Sequence, residues 1–340
     1  MRKEIRLLLI KVVVLAVPLL ILLIFYVFLD PFKVIYTYKS FYPSFANLNK
    51  DYVSTETFLR NYPNFKYDSF IFGNSRSMFY EVKDWRKHIS STDCYHFDAS
   101  LETLSGIYSK LKFLDAHHVA LRNVLIPLDY DTLYLTSDKK GHLFIRHPLV
   151  SGKNWYSFHL EFIEAFLDFK FLVACIDYSF SKKIKKYMID EHLVDDRPVD
   201  YNVENNEIKF TDFENIIQKN STEYYLSRKE VFFKRNTAQT YLPILIGNEQ
   251  KRMLRGIASI LTKNNTDYKI IINPLYDQRK ITLLDLTYLR EVFGRDRVFD
   301  FSGINEITKN IYNYYEPSHY RPHIARLILS EIYGKTTQND

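Results

Sequence analysis

Two short strings hold the residue types that acyl chemistry requires. The first, YDSFIFGNSRSMFYEV, runs an apolar stretch into Gly73-Asn74-Ser75-Arg76. A tight turn there lifts a serine hydroxyl off the end of a strand. It also sets backbone N–H groups, and the positive end of a following helix, where an oxyanion can develop. Gly73 supplies the backbone freedom that such a turn often needs. Ser77 competes as nucleophile if the turn falls two residues later. The bland alternative is a loop in which Asn74 or Ser75 caps a helix. Arg76 reads as either an ion-pair partner or a substrate contact.

The second string, IYNYYEPSHYRPHIARLIL, holds His319 between Pro317 and Pro322, which confine it to a loop ahead of the last helix. A histidine there can take a proton from a serine hydroxyl if a partner orients its second ring nitrogen. Glu316, three residues upstream, is the first choice of partner, and Asp300 is the rival. His323 is the weaker candidate base. Ser75 and His319 lie 244 positions apart. The chemistry therefore depends on a fold that returns both to one place, within hydrogen-bonding reach.

Alternating strands and helices supply such a fold. Apolar runs at 68–72, 94–97, 123–128, 269–272 and 298–301 read as strands. Helical stretches are expected at 78–88, 104–116, 249–261, 283–292 and 322–333. The alternation predicts an α/β domain: three layers, doubly wound, with a mostly parallel sheet, right-handed crossovers and a site at the carboxyl edge of the strands. The interval 131–245 interrupts it and is too long for a simple connection. It reads as a helical insertion capping that edge, with 182–210 charged and solvated. Its run 158–178 is nearly apolar enough for a membrane span, but Glu161, Glu164, Asp168, Lys170 and Asp177 interrupt it.

The domain is preceded by an anchor. Residues 12–29 carry no charge and, with 7–10, are long enough for a ~30 Å hydrocarbon core. Arg2, Lys3, Arg6 and Lys11 precede the run against a single Glu4, which places that end in the cytoplasm. The run is long for a signal peptide and no A-x-A site follows it, so a retained single pass is expected. The expected plan is a start and anchor over 1–30, a linker and lead-in helix over 31–66, the α/β domain over 67–334 and a tail over 335–340. The domain would lie outside the cytoplasm, at an inner or plasma membrane.

Composition narrows the rest. Apolar residues make up 46% of the 340, enough for a core, and the formal charge of +6 is thinly spread. No zinc spacing, helix-turn-helix pattern or basic-aromatic repeat points to nucleic acid. The 27 tyrosines and 26 phenylalanines can fill a core or line a sugar or lipid site. Cys94 and Cys175 form no CxxC and are expected as two buried thiols.

Taken together, the two end strings resemble the SGNH (GDSL-like) hydrolase superfamily. The likeness is to its membrane-anchored bacterial members, similar to the D-alanyl transfer protein of teichoic acid synthesis and the alginate O-acetyltransferases. The first block of that family reads G-D-S or G-N/S-S, here Gly73-Asn74-Ser75 with Arg76 following. Its closing Asp-x-x-His is here Glu316-Pro317-Ser318-His319, within YYEPSHYRP. The resemblance implies a second block in FDASLETLSG, with Ser100 or Gly106 giving a backbone oxyanion donor. The usual third block, G-x-N-D, is missing; Asp129 in IPLDYD holds the place of its amide.

By that resemblance Ser75 is the nucleophile, His319 the base and Glu316 its orienter, on an SGNH/flavodoxin-like sheet with no cofactor or metal. The implied function is O-acyltransferase or esterase, acting on an exported polysaccharide or cell-envelope glycan. Its partners would be an acyl donor, a glycan acceptor and a multispanning membrane acyltransferase. The alternative is a non-catalytic binding or assembly protein on the same fold, which the missing third-block amide favours.

Overall fold

A computed structural model describes residues 2–190, 193–194 and 198–334; the expected tail lies outside these. The chain forms two compact units. One joins the residues up to Leu48 with 141–143 and 153–197, and the other holds 49–140, 144–152 and the chain from Pro198.

The first unit begins with helix α1, Arg2–Leu29, in which Glu4–Leu29 is long and apolar enough to cross a bilayer. Pro18 lies inside the helix without ending it. What ends it is Asp30, whose carboxylate accepts the N–H groups of Val34 and Ile35 at 2.9 Å and of Tyr36 at 3.1 Å. Two further helices, Trp155–Phe166 and Phe169–Ser181, belong to this unit. Asp168 separates them by capping the second through Phe171 N at 2.9 Å, so the apolar run is two short helices rather than a span. Phe32 stacks on Phe171 at 4.9 Å.

The interval 131–245, read as one helical insertion, is shared between the units: 141–143 and 153–197 belong with the N-terminal segment, and 131–140, 144–152 and 198–245 belong with the sheet. The physical reason is that Phe32 and Phe45, just past α1, offer aromatic partners for the inner face of the helix pair.

The second unit is a three-layer α/β structure. Its strands are β1 (Ser69–Ile71), β2 (Cys94–His96), β3 (Asn123–Leu128), β4 (Asp267–Ile272) and β5 (Val298–Asp300), all parallel, in the order β2-β1-β3-β4-β5. Alternate residues face opposite layers, as the pleat requires. Phe70, Val124 and Ile270 pack with helices α2 (Lys50–Phe65), α3 (Leu104–Ala116), α4 (Asn248–Lys263) and α5 (Leu283–Phe293). Ile71, Leu125 and Ile271 pack with α6 (Pro322–Tyr333).

The helix expected at 78–88 does not form. Its place is taken by a 3₁₀ turn, Ser75–Phe79, and a four-residue helix, Val82–Trp85. Phe79, Tyr80, Val82 and Trp85 are all buried, and that set is too wide for one face of a continuous helix. The segment 182–210, expected to be solvated, also buries Asn206 and Glu207. Asn206 bonds His96 O at 2.6 Å, and Glu207 accepts Val82 N at 2.7 Å.

Candidate active site

The strands are parallel, so the loops after β1, β2, β3 and β4 open at one edge. The order 2-1-3 reverses direction at β1, which is where crevices form in open sheets. Gly73 follows β1 at φ +133°, and a Cβ there would stand 3.0 Å from Ser77 Cβ and 3.1 Å from Pro127 O, so only glycine fits. Asn74 Oδ1 accepts Arg76 N at 3.0 Å, and Ser77 Oγ donates to Asn74 O at 2.7 Å. Ser77 is thus a buried brace and Ser75 the hydroxyl left at the turn.

The histidine arrives on a ribbon, β6 (Tyr314–Glu316) and β7 (His319–Tyr320), turned at Pro317-Ser318. Glu316 and His319 are register partners across it. His319 Nε2 lies 2.7 Å from Ser75 Oγ, and Nδ1 is hydrogen-bonded to Glu316 Oε1. Glu316 Oε2 accepts Ser318 N at 2.6 Å. Burial alone would raise the Glu316 pKa. The hydrogen bond and charge of His319, the Ser318 N–H and Arg76 outweigh it and hold the group below its ordinary range. When the ring is neutral, an ionised Glu316 requires Nδ1–H as donor, which leaves the Nε2 lone pair toward Ser75. Phe79 and Phe210 meet the imidazole edge-on at 5.7 and 5.9 Å.

Of the two readings for Arg76, the ion pair is built. Its guanidinium donates to Asp129 Oδ2 at 2.5 Å and to Ser318 O at 2.7 Å. Asp129 follows β3 and also accepts Asn74 Nδ2 at 2.7 Å and Thr132 N at 3.0 Å. Burial pushes the Asp129 pKa up, but Arg76 and these bonds hold it low. Asp129 therefore stands beside the serine as an acceptor, with no proton to offer an oxyanion.

Two other candidates separate. Ser100 is exposed on the loop after β2, and neighbouring Ala99 N donates to Gly73 O at 3.1 Å. Among the described residues, no hydrogen bond outside the helices and strands occupies the backbone N–H of Ser75 or of Ser100. Gly106 is not such a donor, because its N–H caps α3 onto Thr103. Its glycine identity serves packing: a Cβ would fall 1.7 Å from Glu102 Oε1 and 2.6 Å from Arg146 Nη2. Those two side chains join Asp51 and Lys110 in a buried ion cluster. Asp300 is occupied by Ser302 Oγ at 2.5 Å and Lys280 at 3.2 Å, and His323 pairs with Asn313 at 3.1 Å. Neither serves His319. Cys94 and Cys175 are free and buried.

Several supports were not found in the sequence. Glu214 grips Arg321 through two 2.8 Å bonds. Tyr224 OH donates to Tyr315 O at 2.9 Å, and Tyr225 OH to Tyr314 O at 2.9 Å. The later part of the interval 131–245 thus holds the histidine ribbon. The adjacent Tyr224-Tyr225 pair was the available signal, but a tyrosine does not reveal its acceptor. Tyr320 OH, 3.0 Å from Asn273 Oδ1, ties β7 to the end of β4.

No family model matches the chain, and no curated protein matches it. Among the described residues, no group of three or more His, Cys, Asp or Glu side chains could hold a metal ion.

Proposed function

We propose that the protein is a membrane-anchored serine acyl-transfer enzyme, an O-acyltransferase or esterase of an exported polysaccharide or cell-envelope glycan. The observation that carries this reading is the relay from Glu316 through both nitrogens of His319 to Ser75 Oγ at 2.7 Å. His319 Nε2 takes the Ser75 proton as Oγ attacks an ester carbonyl, and the N–H groups of Ser75 and Ser100 receive the oxyanion. The tetrahedral species collapses when His319 returns that proton to the departing alkoxide, leaving an acyl-Ser75. An acceptor hydroxyl, from sugar or water, then gives its proton to His319 and takes the acyl group, and His319 passes that proton to the departing Ser75 Oγ.

The strand order, the short block at Gly73-Asn74-Ser75 and the Glu316-x-x-His319 ribbon support the doubly wound, flavodoxin-like arrangement of the SGNH group. The apolar α1 supports a site held beside membrane-linked polymer, facing away from the cytoplasm, where a multispanning acyltransferase could hand on the acyl group. One observation favours the non-catalytic reading: a carboxylate, Asp129, holds the place of the third-block amide. Turnover of an activated acetyl ester by the full chain, with and without an oligosaccharide acceptor, tests the proposal. Activity lost in Ser75→Ala and in His319→Ala supports it. Equal activity in either variant would assign the hydrolysis elsewhere.

A further inference from the structure

The helix pair after the first sheet strands has two apolar faces where a water-soluble helix would have one. Its inner face is buried through Phe158, Phe162 and Phe166 on the first helix and Phe171, Ala174 and Cys175 on the second. On the outer face of the second, Phe169, Val173, Ile176 and Phe180 repeat at helical spacing and are 80%, 41%, 40% and 85% exposed. Tyr156, 75% exposed, and Leu160 extend an apolar face along the first. Single exposed apolar residues need no explanation, but four at helical spacing, with more on the neighbouring helix, mark a surface that something covers.

The occupant follows from what the inner face grips. Phe166 meets Tyr26 at 5.1 Å and Phe25 at 6.3 Å, both in the last turns of α1. Phe171 stacks on Phe32, three residues past its end. The helix pair is therefore fastened to the chain where the apolar helix stops, and Phe28, also 77% exposed, adds to the surface there. Exposed Lys182, Lys183 and Lys186 follow Phe180, a basic and aromatic combination suited to the headgroup boundary.

We infer that Trp155–Phe166 and Phe169–Ser181 form an interfacial helix pair, seated through their outer apolar stripes in the lipid leaflet at the carboxyl end of α1. Exposed Glu164, Asp168 and Lys170 confine such a seat to the headgroup boundary, about 5–10 Å deep. The inference rests on the reading of α1 as a membrane span.

The two tryptophans make a built-in test. Trp155 is 41% exposed at the start of the pair, whereas Trp85 is fully buried in the α/β unit. The full chain is reconstituted into phosphatidylcholine–phosphatidylglycerol vesicles carrying lipid brominated near the glycerol end of its acyl chains. The Trp155 share of the emission is expected to be lost while the Trp85 share persists. A Phe180→Trp variant in a Trp155→Phe background should be quenched likewise. Carbonate-resistant chain whose Trp155 and Phe180→Trp emission is unchanged would overturn the inference, whether a second copy or another protein covers the stripes. Release of the chain by carbonate would instead refute the span reading on which it rests.

Discussion

Glu316 and His319 are partners across the two-residue turn of a short antiparallel ribbon, and their side chains hydrogen-bond on one face of it. The acid-x-x-His spacing is thus the spacing of a β-turn, in which residues i and i+3 come together. The longer carboxylate arm of Glu316 completes the contact without displacing the histidine from Ser75.

Loss of the orienting carboxylate should lower activity less than loss of the base. Glu316→Ala keeps the Ser75–His319 pair but frees the ring to rotate. Asp300 is tied to Ser302 and Lys280 and does not replace the lost partner. Ester turnover should fall in Glu316→Ala by less than in His319→Ala, and adding Asp300→Asn should not deepen the loss. A further large drop in the double variant would show that Asp300 shares the role.

Ser75 and His319 should behave as one unit. Each alanine variant is expected to remove most of the turnover, and the double variant should cost little more than the worse single one. Additive losses, measured on the same activated ester, would mean that the two residues act independently.

Asp129 is the clearest stability test. Asp129→Asn leaves the Arg76 charge buried without its partner, a change that costs about 3 kcal/mol where such pairs are desolvated. The folded pKa of Asp129 is depressed, so its stabilisation is present above the ordinary carboxyl range near 3.9 and is lost as pH falls through the lower folded value. Thermal unfolding of the detergent-solubilised chain should show Asp129→Asn less stable than the parent at neutral pH, with the gap narrowing in acid. An amide that preserves stability and raises turnover would instead make residue 129 an oxyanion donor.

Gly106 and Lys110 should matter to folding and not to chemistry. Gly106→Ala drives a methyl into Glu102, and Lys110→Met strands Asp51 and Glu102, which burial otherwise disfavours as charges. Breaking such a cluster costs about 3–5 kcal/mol. Both variants should melt earlier while the folded fraction keeps its activity per molecule.

What was legible in the sequence follows what each signal measures. The five sheet strands were readable because parallel strands buried on both faces leave dense apolar runs, and α3 and α6 were readable from their periodicity. The segment after Ser75 misled because Phe79, Tyr80, Val82 and Trp85 suggest a helix by apolar content while facing too many directions for one. The helix pair at 155–181 was recognisable as helical, but its partners, Phe32 and Phe45, are more than a hundred positions away. Asp129 looked like a substituted amide. Its role as acceptor for Asn74, Arg76 and Thr132 depends on bonds that no local pattern encodes.

The most direct test of the central claim is covalent. The full chain in native-like membrane is treated with a fluorophosphonate probe, digested, and its adduct located by mass spectrometry. In the proposed mechanism His319 removes the proton as the hydroxyl attacks, so one adduct is expected, on Ser75, absent in Ser75→Ala and strongly reduced in His319→Ala. No adduct on Ser75 in the parent chain, or labelling undiminished in His319→Ala, would contradict it.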